Sequence, residues 1–478
     1  MNGPISRLFG VVIVLFAILV GFTSRWTVFD AASLRDNQFN RRSLLEEQLV
    51  KRGSITAADG SVLAISYRGA GGVYRRRYPT ADTFAHAIGY SFTNLGRAGL
   101  EAARNADLEG RPAQSGSILD QLSGTQREGD DVITTLDPKA QRAAIAALAG
   151  RTGAVVALDP TTGAIRVLAS TPAYDPNSLR LPGRFQQLVG ESQSSPLFDR
   201  ATQAGYPPGS SFKVVTAIAA IDSGAFTPQS IVNGDSPKSI SGVPLSNDFN
   251  QSYGNVDLST ALTHSINTVW AQVGVSVGKT TMARYMSRLG FDRRPPIDLP
   301  STERRASGEF LGGRLLDPQS SLVDVGRMAI GQDKLEVTPL QMAMVAAAVA
   351  NGGRLMAPHL TDRVVDRDGR TVSSVSPRVL SQVMKPQTAS EVAAMMSLVV
   401  QEGTGTAAAL QGIQVAGKTG TAEIVPGQAI NQVWFIAFAP LDHPKVAIAV
   451  TIERSSGEGG TVAAPVAKTV MQTLLGGG

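Results

Sequence analysis

Two groups of apolar strands at opposite ends of a long segment limit how this chain can fold. The first group is a hairpin, in which residues 153–159 and 164–170 are nearly all apolar, so both of its faces should be buried. The second group lies near the carboxyl terminus, at residues 433–439 and 446–452, and helical patterns such as residues 258–277 fill the sequence between them. We therefore predict an α+β domain whose sheet joins strands that are distant in sequence.

The length of the chain predicts more than one domain. Its 478 residues exceed one ordinary domain, and the character of the sequence changes near Gly150, just before the first apolar strand. Before that point the pattern is more polar, with a hairpin that turns at Asp59-Gly60 and a helix that begins at Pro138. We predict a smaller module over residues 26–150 and a main domain over residues 151–478.

An uncharged segment near the amino terminus predicts a membrane anchor. Residues 8–24 contain no charged side chain and lie between Arg7 and Arg25. As a helix they span about 25 Å, and the flanking arginines can reach the interface. A cleaved signal peptide is the alternative, although no clear A-x-A site follows. We expect residues 1–25 to form a cytoplasmic stub and a single transmembrane helix, because no second apolar segment of this length occurs.

The composition excludes several classes of function. The net charge of +5 comes without a long basic run, so no nucleic-acid partner is expected. The chain has no cysteine, which excludes disulfides, thiolate metal sites and cysteine nucleophiles. Its 4 histidines are scattered, so we expect no metal, and no G-x-S-x-G sequence supports a Ser-His-Asp hydrolase.

A rigid turn before an apolar helix carries the first candidate catalytic residues. The Pro-Pro-Gly sequence at residues 207–209 cannot continue a regular element, so Ser210 should lie at or beside the start of a helix through residues 214–221. Ser210 and Lys213 would then share one helix face. A lysine can remove a serine proton only where burial or a nearby cation lowers its pKa. An N-capping serine beside a solvated lysine would give the same pattern.

Two further motifs favour the catalytic interpretation. Residues 265–267 read Ser-Ile-Asn between two helical stretches, and residues 418–421 read Lys-Thr-Gly-Thr before the closing strands. Each sequence alone is commonplace at caps, turns or strand ends. Their order behind S-x-x-K is specific, because S-x-x-K, an S-D-N-type sequence and K-T-G together are the signature of penicillin-binding proteins and class A β-lactamases.

Nearly the whole chain resembles a class B penicillin-binding protein, a membrane-anchored peptidoglycan D,D-transpeptidase, and it is most similar to the actinobacterial type. The resemblance implies a transpeptidase (β-lactamase-like) α+β domain with an antiparallel sheet flanked by helices, behind a non-catalytic pedestal or dimerisation-like module. One departure is Ala57-Ala58, where the family usually has Asp-Arg. Sequences that carry the resemblance beside the three motifs are Arg52-Gly53-x-Ile55, Gly99-Leu100-Glu101, Thr134-Thr135-Leu136-Asp137, Gly331-Gln332, Thr338-Pro339 and residues 434–440.

The resemblance implies acyl transfer through the three motifs. Ser210 would attack the D-Ala-D-Ala carbonyl of a stem peptide while Lys213 takes its proton. Lys418 would help to keep Lys213 neutral through repulsion of like charges. Ser265 would pass a proton to the departing D-Ala, and Asn267 would hold Lys213 and a substrate amide.

The resemblance also implies how the substrate is bound. The backbone N–H groups of Ser210 and Thr421 would form the oxyanion hole, where charge develops on the carbonyl oxygen. Thr419, Gly420 and Thr421 would bind the substrate, with its terminal carboxylate on the two threonines. The same serine would be acylated by β-lactam antibiotics, and neither a cofactor nor a metal is implied.

Other functions fit part of this pattern. A D,D-carboxypeptidase or β-lactamase would use the same motifs with water as acceptor, but such enzymes resemble only the segment after Gly150. A β-lactam sensor would need further spans or an output domain, and an inactive scaffold should have lost motif residues. Because residues 26–150 are too few for a glycan-polymerising domain, the expected partner is a polytopic glycosyltransferase of the shape, elongation, division and sporulation (SEDS) family. The catalytic domain would face the extracytoplasmic side of the cell membrane.

Overall fold

The structure is a computed structural model that describes residues 3–25, 48–110, 128–424, 428 and 430–476. Residues 26–47 and 111–127 of the predicted smaller module therefore lie outside the described residues. The α-helices are α1 (Gly3–Ser24), α2 (Ala85–Ile88), α3 (Gly99–Ala103), α4 (Asn105–Leu108), α5 (Pro138–Leu148), α6 (Arg184–Gly190), α7 (Lys213–Asp222), α8 (Leu258–Thr263), α9 (Asn267–Val277), α10 (Lys279–Arg288), α11 (Val325–Met328), α12 (Pro339–Ala350), α13 (Pro386–Gln401) and α14 (Ala464–Leu474). The strands are β1 (Ile55–Thr56), β2 (Val62–Arg68), β3 (Tyr74–Arg77), β4 (Ser91–Phe92), β5 (Gly96–Arg97), β6 (Asp131–Thr134), β7 (Gly153–Leu158), β8 (Ile165–Thr171), β9 (Ile231–Asn233), β10 (Lys238–Ile240), β11 (Val243–Leu245), β12 (Asn255–Asp257), β13 (Gly308–Leu311), β14 (Arg314–Leu315), β15 (Leu335–Glu336), β16 (Arg354–Met356), β17 (Thr361–Val365), β18 (Thr371–Ser374), β19 (Val379–Gln382), β20 (Ala416–Glu423), β21 (Asn431–Ala439) and β22 (Val446–Ser455).

The main sheet joins the two predicted groups of strands. It has 5 strands in the order β20-β21-β22-β7-β8, and every neighbouring pair is antiparallel. The junction is the β22–β7 pair, in which Val450 lies opposite Val155. The prediction of a sheet built from sequence-distant strands is confirmed.

Both faces of this sheet are buried, because successive side chains of a strand point to opposite faces. Along β21, Trp434 and Ile436 belong to the same apolar core as α12. Val433 and Phe435 belong to a second core with α5 and α14. The sheet is thus a rigid layer between two sets of helices, and its edge strand β20 carries the Lys-Thr-Gly-Thr motif.

A second sheet crosses the predicted limit at residue 150. It has 6 strands in the order β18-β17-β6-β1-β2-β3, so β17 and β18 from the main segment extend a sheet that begins in the amino-terminal module. Strand β17 pairs with β6 in the antiparallel direction, with Val364 opposite Val132. Sequence periodicity gave no sign of this pairing, because the partners are far apart along the chain. The predicted domain limits themselves stay predictions.

The helical pattern over residues 258–277 forms two helices, and the link between them matters for the site. The pattern over residues 258–277 folds as α8 and α9, and Ser265 between them has φ 58°, in the left-handed region. Both helices begin with side-chain caps: Asp257 accepts from the Thr260 N–H, and Asn247 accepts from the Thr268 N–H. The prediction that residues 265–267 lie between two helical stretches is therefore confirmed, and Ser265 itself lies on a strained link.

Helix α1 agrees with the predicted membrane span. Among the described residues it is the one helix long and apolar enough to cross a membrane, by length and composition. None of its residues is buried against the rest of the protein. The exposed apolar side chains need an apolar environment, which a bilayer supplies.

Candidate active site

A short helical turn presents Ser210 at the amino-terminal end of buried helix α7. The turn spans Gly209–Phe212, and Gly209 adopts φ 52°. A side chain at this position would be strained and would lie only 2.6 Å from the carbonyl oxygen of Thr421. The glycine therefore lets the turn approach strand β20 closely, which fixes the serine beside the third motif.

Lys213 is the first residue of α7 and is fully buried. Its Nζ donates hydrogen bonds to the Ser265 carbonyl oxygen at 2.7 Å, to Ser265 Oγ at 3.2 Å and to Asn267 Oδ1 at 2.6 Å. Burial, followed by the charge of Lys418, lowers the pKa of Lys213 well below its usual range. A lysine in this state can lose its charge and accept a proton.

Ser265 connects the two buried lysines. Its Oγ accepts from Lys213 Nζ at 3.2 Å and from Lys418 Nζ at 3.0 Å. Burial also lowers the pKa of Lys418, to about 7. Because a hydroxyl has two acceptor positions and one proton, Ser265 can pass a proton between the site and Lys213.

The Lys-Thr-Gly-Thr motif lies on edge strand β20, and contacts with residues outside the sheet hold its two threonine side chains. Thr419 Oγ1 contacts Thr404 Oγ1 at 2.6 Å, and Thr421 Oγ1 accepts from the Gly459 N–H at 3.2 Å. At Gly420, a Cβ would lie 2.6 Å from the Pro208 carbonyl oxygen, so only glycine lets the strand pack against the nucleophile turn. The structure thus brings all three sequence motifs into one site.

Asp248 also lies at this site, although no sequence motif pointed to it. Asn267 Nδ2 donates to Asp248 Oδ1 at 3.2 Å and to the Ser246 carbonyl oxygen at 3.3 Å, so the Asn267 amide oxygen is left facing Lys213. The negative charge of Asp248 opposes the lowering of the pKa of both Lys213 and Lys418. The next residue, Phe249, has φ 55° and is 91% exposed. No short motif around Asp248 signals this placement.

Comparisons with known proteins agree with this geometry. Residues 153–472 match the family model of the penicillin binding protein transpeptidase domain, and residues 52–132 match that of the penicillin binding protein A dimerisation domain. The peptidoglycan D,D-transpeptidase PbpA of Mycolicibacterium smegmatis is 33% identical over 99% of both chains.

Solved structures give the same result. Penicillin-binding protein A of Mycobacterium tuberculosis, as a ceftriaxone acyl-enzyme complex, has a TM-score of 0.82 and 31% identity, covering 90% of this chain and 100% of that one. Its penicillin G acyl-enzyme complex has a TM-score of 0.78 and 31% identity, covering 89% and 99%.

Proposed function

The chain belongs to the class B penicillin-binding proteins, serine D,D-transpeptidases that β-lactams acylate, and we propose that Ser210 is its acylated nucleophile. The observation that carries this assignment is the buried cluster beside Ser210, in which Ser265 Oγ is hydrogen-bonded to both Lys213 and Lys418. Buried lysines with lowered pKa values, aligned behind a serine at a helix start, are typical of an activated nucleophile.

In the acylation step, a bond from the carbonyl carbon to Ser210 Oγ would replace the bond from that carbon to the nitrogen of the terminal D-Ala. Ser210 Oγ attacks the carbonyl of the penultimate D-Ala of a stem peptide, and Lys213 takes the hydroxyl proton. The amide C–N bond then breaks, and Ser265 relays a proton from Lys213 to the departing D-Ala amine. An amine of a second stem peptide then attacks the ester carbonyl, the C–O bond to Ser210 breaks, and the proton that the amine loses passes through Lys213 to Ser210 Oγ.

The substrate would bind along strand β20. Thr419, Gly420 and Thr421 form the free edge of the sheet, which offers backbone groups to an extended peptide. The N–H of Ser210, at the start of its helical turn, and that of Thr421 would stabilise the developing oxyanion. Asn267 would hold the substrate amide while its own oxygen contacts Lys213.

A mass measurement tests the nucleophile. Full-length protein in non-ionic detergent, incubated with penicillin G, should gain one stable adduct of the mass of the drug, because the ester on Ser210 deacylates slowly. Ser210→Ala should remove the adduct completely, whereas Ser301→Ala, which changes an exposed serine, should retain it. An adduct on Ser210→Ala would contradict the assignment, and rapid drug turnover without an adduct would favour a hydrolase.

The alternatives now have less support. The D,D-transpeptidase of M. smegmatis aligns over 99% of both chains, including the segment before residue 150 that β-lactamases lack. All motif residues proposed for catalysis are present, which an inactive scaffold does not require.

We also propose that α1 anchors the chain in the cell membrane as a single span, with the domain that carries Ser210 on the extracytoplasmic side.

A SEDS-family glycosyltransferase would supply the glycan strands, because residues 26–150 leave no room for a glycan-polymerising domain. The two proteins should copurify from membranes solubilised in mild detergent through the full-length chain. Recovery of this chain without any such polytopic partner would contradict the pairing, and would leave the assignment of Ser210 untouched.

A further inference from the structure

A cavity far from the nucleophile is lined by arginines from separate parts of the fold. Its volume is about 300 Å³, and it lies where the end of α10 and the following loop meet the antiparallel pair of strands β16 and β19. Four arginines line it, and no acidic side chain does so among the described residues around it. The arginines are Arg288, Arg293, Arg294 and Arg378.

The positive charges of this cavity are poorly balanced by the protein. Arg294 and Arg378 make no ion pair or side-chain hydrogen bond with any residue that the structure describes, and both are exposed. Arg293 donates to the neutral carbonyl of Ser287, and its charge acts against burial on the pKa of the neighbouring Asp292 carboxyl, which does not line the cavity. Arg288 is 3.9 Å from Asp222, a carboxylate that already accepts from other groups at shorter distances. Like charges repel each other, so this arrangement favours a bound anion.

The backbone holds these side chains in place without a ligand. Pro295 and Pro296 follow Arg294 directly, and a proline restricts the residue before it to extended conformations. The Arg378 carbonyl accepts from the Ala357 N–H at 2.8 Å, and the Arg288 guanidinium stacks over Tyr285 at 5.0 Å. The bases of the arginines are therefore preorganised, which lowers the entropy cost of binding.

The chemistry of the lining indicates the class of ligand. A phosphate ester brings one to two negative charges and several acceptor oxygens, which can engage guanidiniums from different elements at once. A single carboxylate has one charge and two oxygens, which is less than four arginines can use. Met344, Leu355 and Leu380 form an apolar wall of the same cavity, which suits an organic group joined to the phosphate.

We propose that this cavity binds the phosphate of an organic phosphate ester, with the organic part against the apolar wall. The phosphate could belong to a phospholipid headgroup or to a water-soluble phosphate ester. The site is separate from the catalytic cluster: Arg288 lies at the level of Asp222, the last residue of α7, while Ser210 precedes the first.

Calorimetric titration of the full-length protein in non-ionic detergent tests the proposal. The probes are glycerol phosphate, dihexanoyl phosphatidylglycerol and, as an uncharged lipid without a phosphate, dihexanoylglycerol. At least one of the two anionic probes should bind saturably, and Arg294→Gln/Arg378→Gln should weaken it at least tenfold. The matched control, Arg77→Gln/Arg314→Gln, removes the same charge from exposed positions outside the cavity and should bind like the parent protein.

The relative affinities of the probes distinguish a lipid ligand from a water-soluble one, and some outcomes would refute the proposed site. Equal affinities for both anionic probes would indicate a soluble phosphate ester, and at least tenfold tighter binding of phosphatidylglycerol would indicate a lipid. No saturable binding of either anionic probe, equal binding of dihexanoylglycerol, or an equal loss in the control pair would refute the proposal. Penicillin acylation should be unchanged in both double variants, so a failure here is distinguishable from a failure at Ser210.

Discussion

Lys213→Met should lower the rate constant of acylation by penicillin G by about 10²- to 10⁴-fold, the range that a positioned general base contributes. Methionine has a similar length and suits the apolar surroundings of α7, but it cannot accept the proton of Ser210. The rate is measured from the growth of the adduct by intact-protein mass spectrometry. Lys139→Met, at an exposed position of α5, is the control and should acylate at the parent rate.

The pH dependence separates loss of a base from a damaged site. Lys213 must be neutral to take the proton, so the acylation rate should rise as the pH passes upward through its lowered pKa. Asp248 favours the charged forms of Lys213 and Lys418, so Asp248→Asn should lower both pKa values and move the rise to lower pH. Unchanged acylation in Lys213→Met, or a shift to higher pH in Asp248→Asn, would refute this role for Lys213.

The three motifs could be selected from the sequence because each is contiguous and because their order matches a known signature, although each is commonplace alone. Ser210 and Lys213 are on one turn, and residues 418–421 lie on one strand. The strands of the main sheet could also be predicted from local sequence, because continuous runs of apolar residues indicate strands that are buried on both faces. What local patterns could not supply was the geometry between motifs, which depends on the left-handed backbone of Ser265 and on the glycines at 209 and 420.

Contacts between polar residues that are distant in sequence could not be predicted from sequence patterns. Asp248 reaches Asn267 only because a loop with two left-handed residues folds back over α9. Likewise, β17 pairs with β6 although the two strands are far apart in sequence, and the periodicity of apolar residues reports only on local structure. A third case is Glu101, whose acidic side chain on an exposed helix pattern gives no hint of complete burial.

Glu101 holds two arginines in the interior of the amino-terminal module. Its Oε2 accepts from Arg52 Nε at 2.7 Å and its Oε1 from Arg76 Nε at 2.5 Å, while Arg76 Nη1 also donates to the Gly53 carbonyl oxygen at 2.6 Å. Burial alone would raise the pKa of Glu101, but the charges and hydrogen bonds of Arg76 and Arg52 together hold it below its usual range. The carboxylate is therefore stabilised as an anion, and its loss would take from buried Arg76 the carboxylate that it pairs with and leave Arg52 with Glu109, at 3.3 Å.

Glu101→Ala should destabilise this module by about 3–5 kcal/mol, the cost of breaking a buried ion pair by removing one partner. Native-state hydrogen exchange of the β1 and β2 amides measures the change, because it reports local opening without unfolding the main domain. Glu128→Ala removes the exposed pair with Lys51 and should cost under about 1 kcal/mol.

Because the folded pKa of Glu101 is lowered, its contribution to stability is present above the ordinary glutamate pKa and is lost as the pH falls through the folded value. Amide protection in the parent protein should therefore weaken in acid more than in Glu101→Ala, and equal acid sensitivity of the two would show that Glu101 does not carry this stability.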